Sequence, residues 1–65
     1  MRINVNGQMR EVAALTLEGL LAELDYENQP LATALNQEFV RGKDRAATPL
    51  REGDAVEIVS PRQGG

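Results

Sequence analysis

Leu17, Leu20, Leu21 and Leu24 recur at the i, i+3, i+4, i+7 spacing of a single helix face. The start of that helix is marked as well. Thr16 is suited to cap it by accepting a hydrogen bond from a free backbone N–H, Glu18 stands in the first turn, and Leu15 and Leu20 fall where a hydrophobic staple places its two residues. Such a face cannot be buried by one helix alone, and in a chain of 65 residues a small sheet with one apolar side is the partner the rest of the sequence supplies. A chain this short buries only about 60% of the surface its unfolded form exposes. It therefore makes one domain with one modest core, to which the leucine face is the largest contribution. Gly19 interrupts the first turns at a cost of up to about 1 kcal/mol relative to alanine.

Strand signals lie on both sides of the helix. From Met1 to Val5, apolar Met1, Ile3 and Val5 alternate with Arg2 and Asn4, the period of a half-buried strand. Asn6-Gly7 then supplies the two positive-φ positions of a type I′ hairpin turn. The chain returns over about Gln8 to Val12, with Val5 opposite Gln8 in a two-residue loop or opposite Met9 in a bulged three-residue loop. After the helix, Asp25 to Pro30 carries turn formers, with the proline unable to continue the helix. Leu31 to Leu35 reads as a short strand, Asn36-Gln37 as a turn and Glu38 to Val40 as its return. Arg41 to Thr48 holds Arg41, Lys43, Asp44 and Arg45, the densest charge on the chain, and reads as a solvated loop with one irregular helical turn. Arg51 to Asp54 is a turn in which Gly53 takes positive φ. Ala55 to Ser60 is the last strand, with Val56 and Ile58 facing the core. Val59 then faces outward, on the strand that runs into the chain's end.

The composition narrows the chemistry. There is no cysteine and no histidine, so neither a thiolate metal site nor the usual neutral-pH base is available, and catalysis by this chain's own side chains is not expected. No apolar run approaches the 18 or so residues of a membrane span and nothing resembles a secretory signal, so a cytoplasmic location is expected. A net charge of -3 and only two aromatic residues, Tyr26 and Phe39, argue against nucleic acid as a partner.

The last strand gives way at once to Pro61-Arg62-Gln63-Gly64-Gly65. A terminal carboxylate is an anion and a poor electrophile at neutral pH, but activation as an acyl-adenylate makes it an acyl donor. Glycines without Cβ atoms suit a narrow channel. Five extended residues reach at most about 18 Å, enough to enter a partner's active site while the folded body stays outside. The chain thus divides into a folded domain, residues 1–60, and a flexible C-terminal tail, residues 61–65. Val59 becomes a candidate contact for whatever holds that tail.

First and last strands are the richest in β-branched and apolar residues. If they pair in parallel at the centre of the sheet, the architecture is α+β of the β-grasp kind, a mixed four- to five-stranded sheet packed on one main helix. The opening Met1-Arg2-Ile3-Asn4-Val5-Asn6-Gly7, the helix Thr16 to Leu24, the segment Ala34-Leu35-Asn36-Gln37-Glu38-Phe39-Val40, the Glu52-Gly53-Asp54 turn and the final Gly64-Gly65 together resemble the ThiS/MoaD family of ubiquitin-like sulfur carriers. The compact length is more similar to the bacterial ThiS branch than to MoaD, the small subunit of molybdopterin synthase, which runs longer.

The resemblance implies a carrier, not an enzyme. It implies that the Gly65 carboxylate is adenylated by a ThiF-like enzyme, which uses ATP and Mg while the carrier binds no cofactor. Sulfur from a donor system then makes the thiocarboxylate, which thiazole synthase, ThiG, consumes in building the thiazole of thiamin. Gly64 passes the channel, while Pro61, Arg62 and Gln63 supply hydrogen bonds and charge. The same tail would equally serve a molybdopterin carrier or a ubiquitin-like protein modifier, and a plain binding module would make no use of it.

Overall fold

The computed structural model describes residues 1–60. Five strands form one sheet: β1 (Arg2–Val5), β2 (Gln8–Glu11), β3 (Ala32–Leu35), β4 (Glu38–Val40) and β5 (Ala55–Val59), in the spatial order β2-β1-β5-β3-β4. β1 and β5 pair in parallel at the centre, with Asn4 opposite Ala55 and Val5 opposite Val56, and the other pairs are antiparallel. This is the mixed β-grasp sheet expected from the two most apolar strands. The first hairpin takes the two-residue loop, with Val5 opposite Gln8, and Asn6 and Gly7 adopt φ of 51° and 89°. Asn36 and Gln37, at φ of 50° and 71°, make the same kind of turn between β3 and β4.

Helix α1 (Leu17–Glu23) lays Leu17, Leu20 and Leu21 onto the sheet's inner face, where they join Ile3, Val5, Val12, Leu50, Val56 and Ile58 in one core. Thr16 caps α1 as expected, its Oγ1 accepting from the Gly19 N–H at 3.1 Å. The cap also accounts for Gly19: a Cβ there would stand 3.3 Å from Thr16 Oγ1, crowding the oxygen that closes the helix. Two expectations about this helix are corrected. Leu15 is 72% exposed, so no staple to the buried Leu20 forms, and its carbonyl accepts from Leu50 N–H at 2.9 Å. The second concerns Leu24, at the helix end just ahead of the expected turn from Asp25 to Pro30. Asp25 takes φ of 65°, its N–H donates to the Ala22 carbonyl and the Tyr26 N–H to the Leu21 carbonyl, the pair of bonds that closes a helix in a Schellman motif. Leu24 is thereby the C-cap rather than a helical residue.

The segment after β4 is more regular than a solvated loop, forming a 3-10 helix over Gly42–Ala47. Arg45 holds it down by donating from Nη2 to the Leu31 carbonyl (2.9 Å) and from Nε to Thr33 Oγ1 (3.1 Å). Thr33 is buried and donates in turn to the Val40 carbonyl. At the far end of α1, the Glu23 carboxylate accepts from the backbone of Ala13 and Ala14, tying the helix to the link from β2.

Candidate functional site

The site is built on the exit of β5. Alternation along this strand sends Val56 and Ile58 into the core and leaves Ala55, Glu57 and Val59 on the outer face. Val59, singled out from the sequence, is 59% exposed there. Ser60 follows and is buried, so the chain is held to the last described residue. Pro61, Arg62, Gln63, Gly64 and Gly65, which carry the expected reacting group and its approach, lie outside the described residues.

Sheet register surrounds Val59 with further apolar groups. Ala32 is directly opposite Val59, and Ala34, two residues on and facing the same way, is opposite Phe39 on β4. Val59, Ala32, Ala34 and Phe39 therefore form one strip across three strands, with Phe39 68% exposed. Glu57, opposite Ala34, places a carboxylate at its border. On the same outer face but two strands from β5, on edge strand β2, Met9 is half exposed opposite Asn4. Sequence reading reached Val59 but not Phe39 as part of this surface. The signal was present: alternation through Glu38-Phe39-Val40 opposes Phe39 to Val40, which packs on the core.

Two polar devices fix the strand beneath the strip. On its β1 side, the Asn6 side chain donates from Nδ2 to the Ile58 carbonyl (3.2 Å) and accepts from the Ile58 N–H at Oδ1 (2.8 Å). Asn6 itself donates its backbone N–H to the Val56 carbonyl, so its side-chain amide extends the parallel ladder past the point where β1 turns away. On the β3 side, Arg45 binds the carbonyl of Leu31, next to the residue paired with Val59. At the other end of β5, Asn36 accepts from the Ala55 N–H (2.9 Å) and donates to Asp54 (3.0 Å). The first residue of each hairpin turn thus grips the central strand.

Among the described residues no three His, Cys, Asp or Glu side chains converge as a metal site, no pocket is enclosed, and every buried side-chain nitrogen or oxygen has a hydrogen-bond partner. Among the described residues no helix is long and apolar enough to cross a membrane. What the described residues present is an apolar strip on the sheet's outer face beside the end of β5.

The model of the ThiS family matches residues 3–65. The chain is 39% identical over 61 residues to the sulfur carrier protein ThiS of Thermus thermophilus, covering 94% of this chain and 95% of that protein. It is also 35% identical over 66 residues to a thiazole synthase of Paramagnetospirillum magneticum, a match that spans all of this chain but 20% of that protein. In structure it is similar to the crystal structure of the thiamine biosynthesis protein ThiS from Geobacter metallireducens, with a TM-score of 0.82 at 30% identity over 92% of this chain and 93% of the other.

Proposed function

This chain belongs to the ThiS family, and from that membership we propose that it is the sulfur carrier of thiamin biosynthesis, with Gly65 as the residue that bears the sulfur. The observation that carries the reading is the match along almost the whole length to a sulfur carrier and to a ThiS fold, joined to a central strand held firmly up to Ser60, five residues before Gly65.

The chemistry proceeds in two displacements. The Gly65 carboxylate attacks the α-phosphorus of ATP in a ThiF-like partner and releases pyrophosphate, giving an acyl-adenylate. A persulfide of the donor system then attacks the acyl carbon and displaces AMP, giving an acyl disulfide, and a thiol attacks the donor's sulfur, forming a new disulfide with it and releasing the thiocarboxylate. Thiazole synthase takes that sulfur into the thiazole ring. A thiazole synthase similar to this entire chain over a fifth of its own length supports that partner, since carrier-like and synthase sequences share one polypeptide there. ATP and Mg belong to the activating enzyme, and the chain acts as co-substrate rather than catalyst, in the cytoplasm. Gly64 and Gly65 present no Cβ to a channel, and the five residues from Pro61 to Gly65 together reach at most about 18 Å. The strip containing Val59 and Phe39 docks the partner that receives the tail.

Intact mass after incubation with a ThiF-like enzyme, Mg-ATP and a sulfur donor tests the reading. Exchange of oxygen for sulfur at the ionised C-terminus adds about 16 mass units. No gain, with an activating enzyme that works on its own carrier, sinks it. An amide cross-link to a protein lysine in place of the mass gain points to a modifier instead.

A further inference from the structure

Asn6 is the one asparagine followed by glycine; Asn4, Asn28 and Asn36 precede valine or glutamine. An Asn-Gly pair is chemically fragile, because the glycine offers no side chain to hinder its own backbone nitrogen. When that nitrogen attacks the asparagine Cγ, the side-chain nitrogen leaves as ammonia and a five-membered succinimide forms. Water then opens the ring to aspartate or isoaspartate. The step needs a free glycine N–H and a side chain free to turn toward it.

Neither is free here. The Gly7 N–H donates to Asn4 Oδ1 at 2.8 Å. The Asn6 amide is engaged at both of its atoms by Ile58, and the positive φ of both turn residues fixes the hairpin. Yet Asn6 is exposed, so water and base reach it as soon as the turn opens.

We propose that Asn6 is a conformationally guarded deamidation site, and that its conversion releases β5 at the point where the chain leaves the sheet. In the aspartate product one carboxylate oxygen still accepts from the Ile58 N–H. The other replaces a donor with an acceptor, setting two oxygens against each other where a 3.2 Å hydrogen bond stood. The isoaspartate product also lengthens the backbone within the turn, which disturbs the register of the hairpin. Among the described residues, Asn6 makes the last attachment on the β1 side of β5, two residues before Ser60. Under the carrier reading, that clasp steadies the base of the tail, so the modification ages the part of the molecule that partners must find in place. The guard itself holds whether or not that reading does.

The test compares the folded protein with a synthetic peptide of residues 2–10 in the same mildly alkaline buffer, following the gain of one mass unit by peptide mapping. Deamidation that requires local opening runs about tenfold or more slower in the folded chain, confined to Asn6, with Asn36 as the internal control in a similar turn. Equal rates in protein and peptide overturn the guard. The Asn6→Asp variant, confirmed as folded by circular dichroism, is then compared with the parent by hydrogen exchange. Faster exchange at the Ile58 amide with unchanged exchange at Thr33 supports the release of β5, and unchanged exchange at Ile58 overturns it.

Discussion

Asn6 pairs with Ile58 as one strand residue pairs with another, though it does so through its side chain: Oδ1 takes the Ile58 N–H at 2.8 Å and Nδ2 reaches the Ile58 carbonyl at 3.2 Å. Asn6→Gly keeps a residue at ease with φ of 51° and removes only the amide. The expected loss is about 1 to 2 kcal/mol, from two hydrogen bonds at a half-buried site that water partly replaces. Urea titration with an unchanged m-value measures it, and a variant as stable as the parent shows that the clasp contributes nothing.

Leu20 and Leu15 make a matched pair. Leu20 is fully buried, and Leu20→Ala should cost about 2 to 5 kcal/mol. In a domain with a total near the low end of about 5 to 15 kcal/mol, that unfolds a substantial fraction at room temperature. Leu15→Ala, at a side chain facing water, should stay within about 0.5 kcal/mol. Equal costs at the two positions would show that Leu15 packs on the core after all.

Asp25 ends α1 in a left-handed conformation at φ of 65°. Glycine carries no Cβ penalty there, so Asp25→Gly should stabilise the domain by about 0.5 to 1 kcal/mol despite its greater freedom when unfolded. Thermal melting reads the sign directly. A lower melting temperature means that the Asp25 side chain supports the motif in a way its exposed position does not reveal.

Val59→Asp and Phe39→Asp each place a charge in the outer strip without touching the core. Both variants should fold, with melting temperatures within a few degrees of the parent. Their adenylation by the activating enzyme should weaken by about tenfold or more if the strip is the docking centre. Met9→Asp, on edge strand β2 of the same face, is the control. Equal losses at all three positions would indicate a general charge effect, and no loss at Val59 and Phe39 removes the strip from the interface.

Much of the architecture is legible in the residues themselves. Alternation through Ile3 and Val5 and through Val56 and Ile58 identifies the two central strands, Asn6-Gly7 the first turn, and the leucine spacing the helix face. What escapes is set by contacts distant in sequence. Arg45 reads as a solvated charge, and only the fold brings Leu31 and Thr33 to it. Leu15 pairs through its backbone with the distant Leu50 while its side chain stays exposed, and the closing geometry of the helix depends on Asp25 taking a left-handed conformation. Of the candidate site, sequence supplies Val59, while Phe39 joins it only through the β3 register. Gly64 and Gly65 are read from sequence alone.

The parallel pairing of β1 with β5 has a practical side. Arg2 lies beside the turn that opens β5, its N–H donating to Glu52 and its carbonyl accepting from the Gly53 N–H. The amino group of Met1, bound to Glu11 and the Val12 carbonyl, is therefore a full strand, about 17 Å, from the end where Ser60 leaves the sheet. The molecule has two poles. A domain or affinity tag joined ahead of Met1 sits at the closed pole and leaves the other clear, whereas anything appended after Gly65 removes the carboxylate on which the proposed chemistry depends.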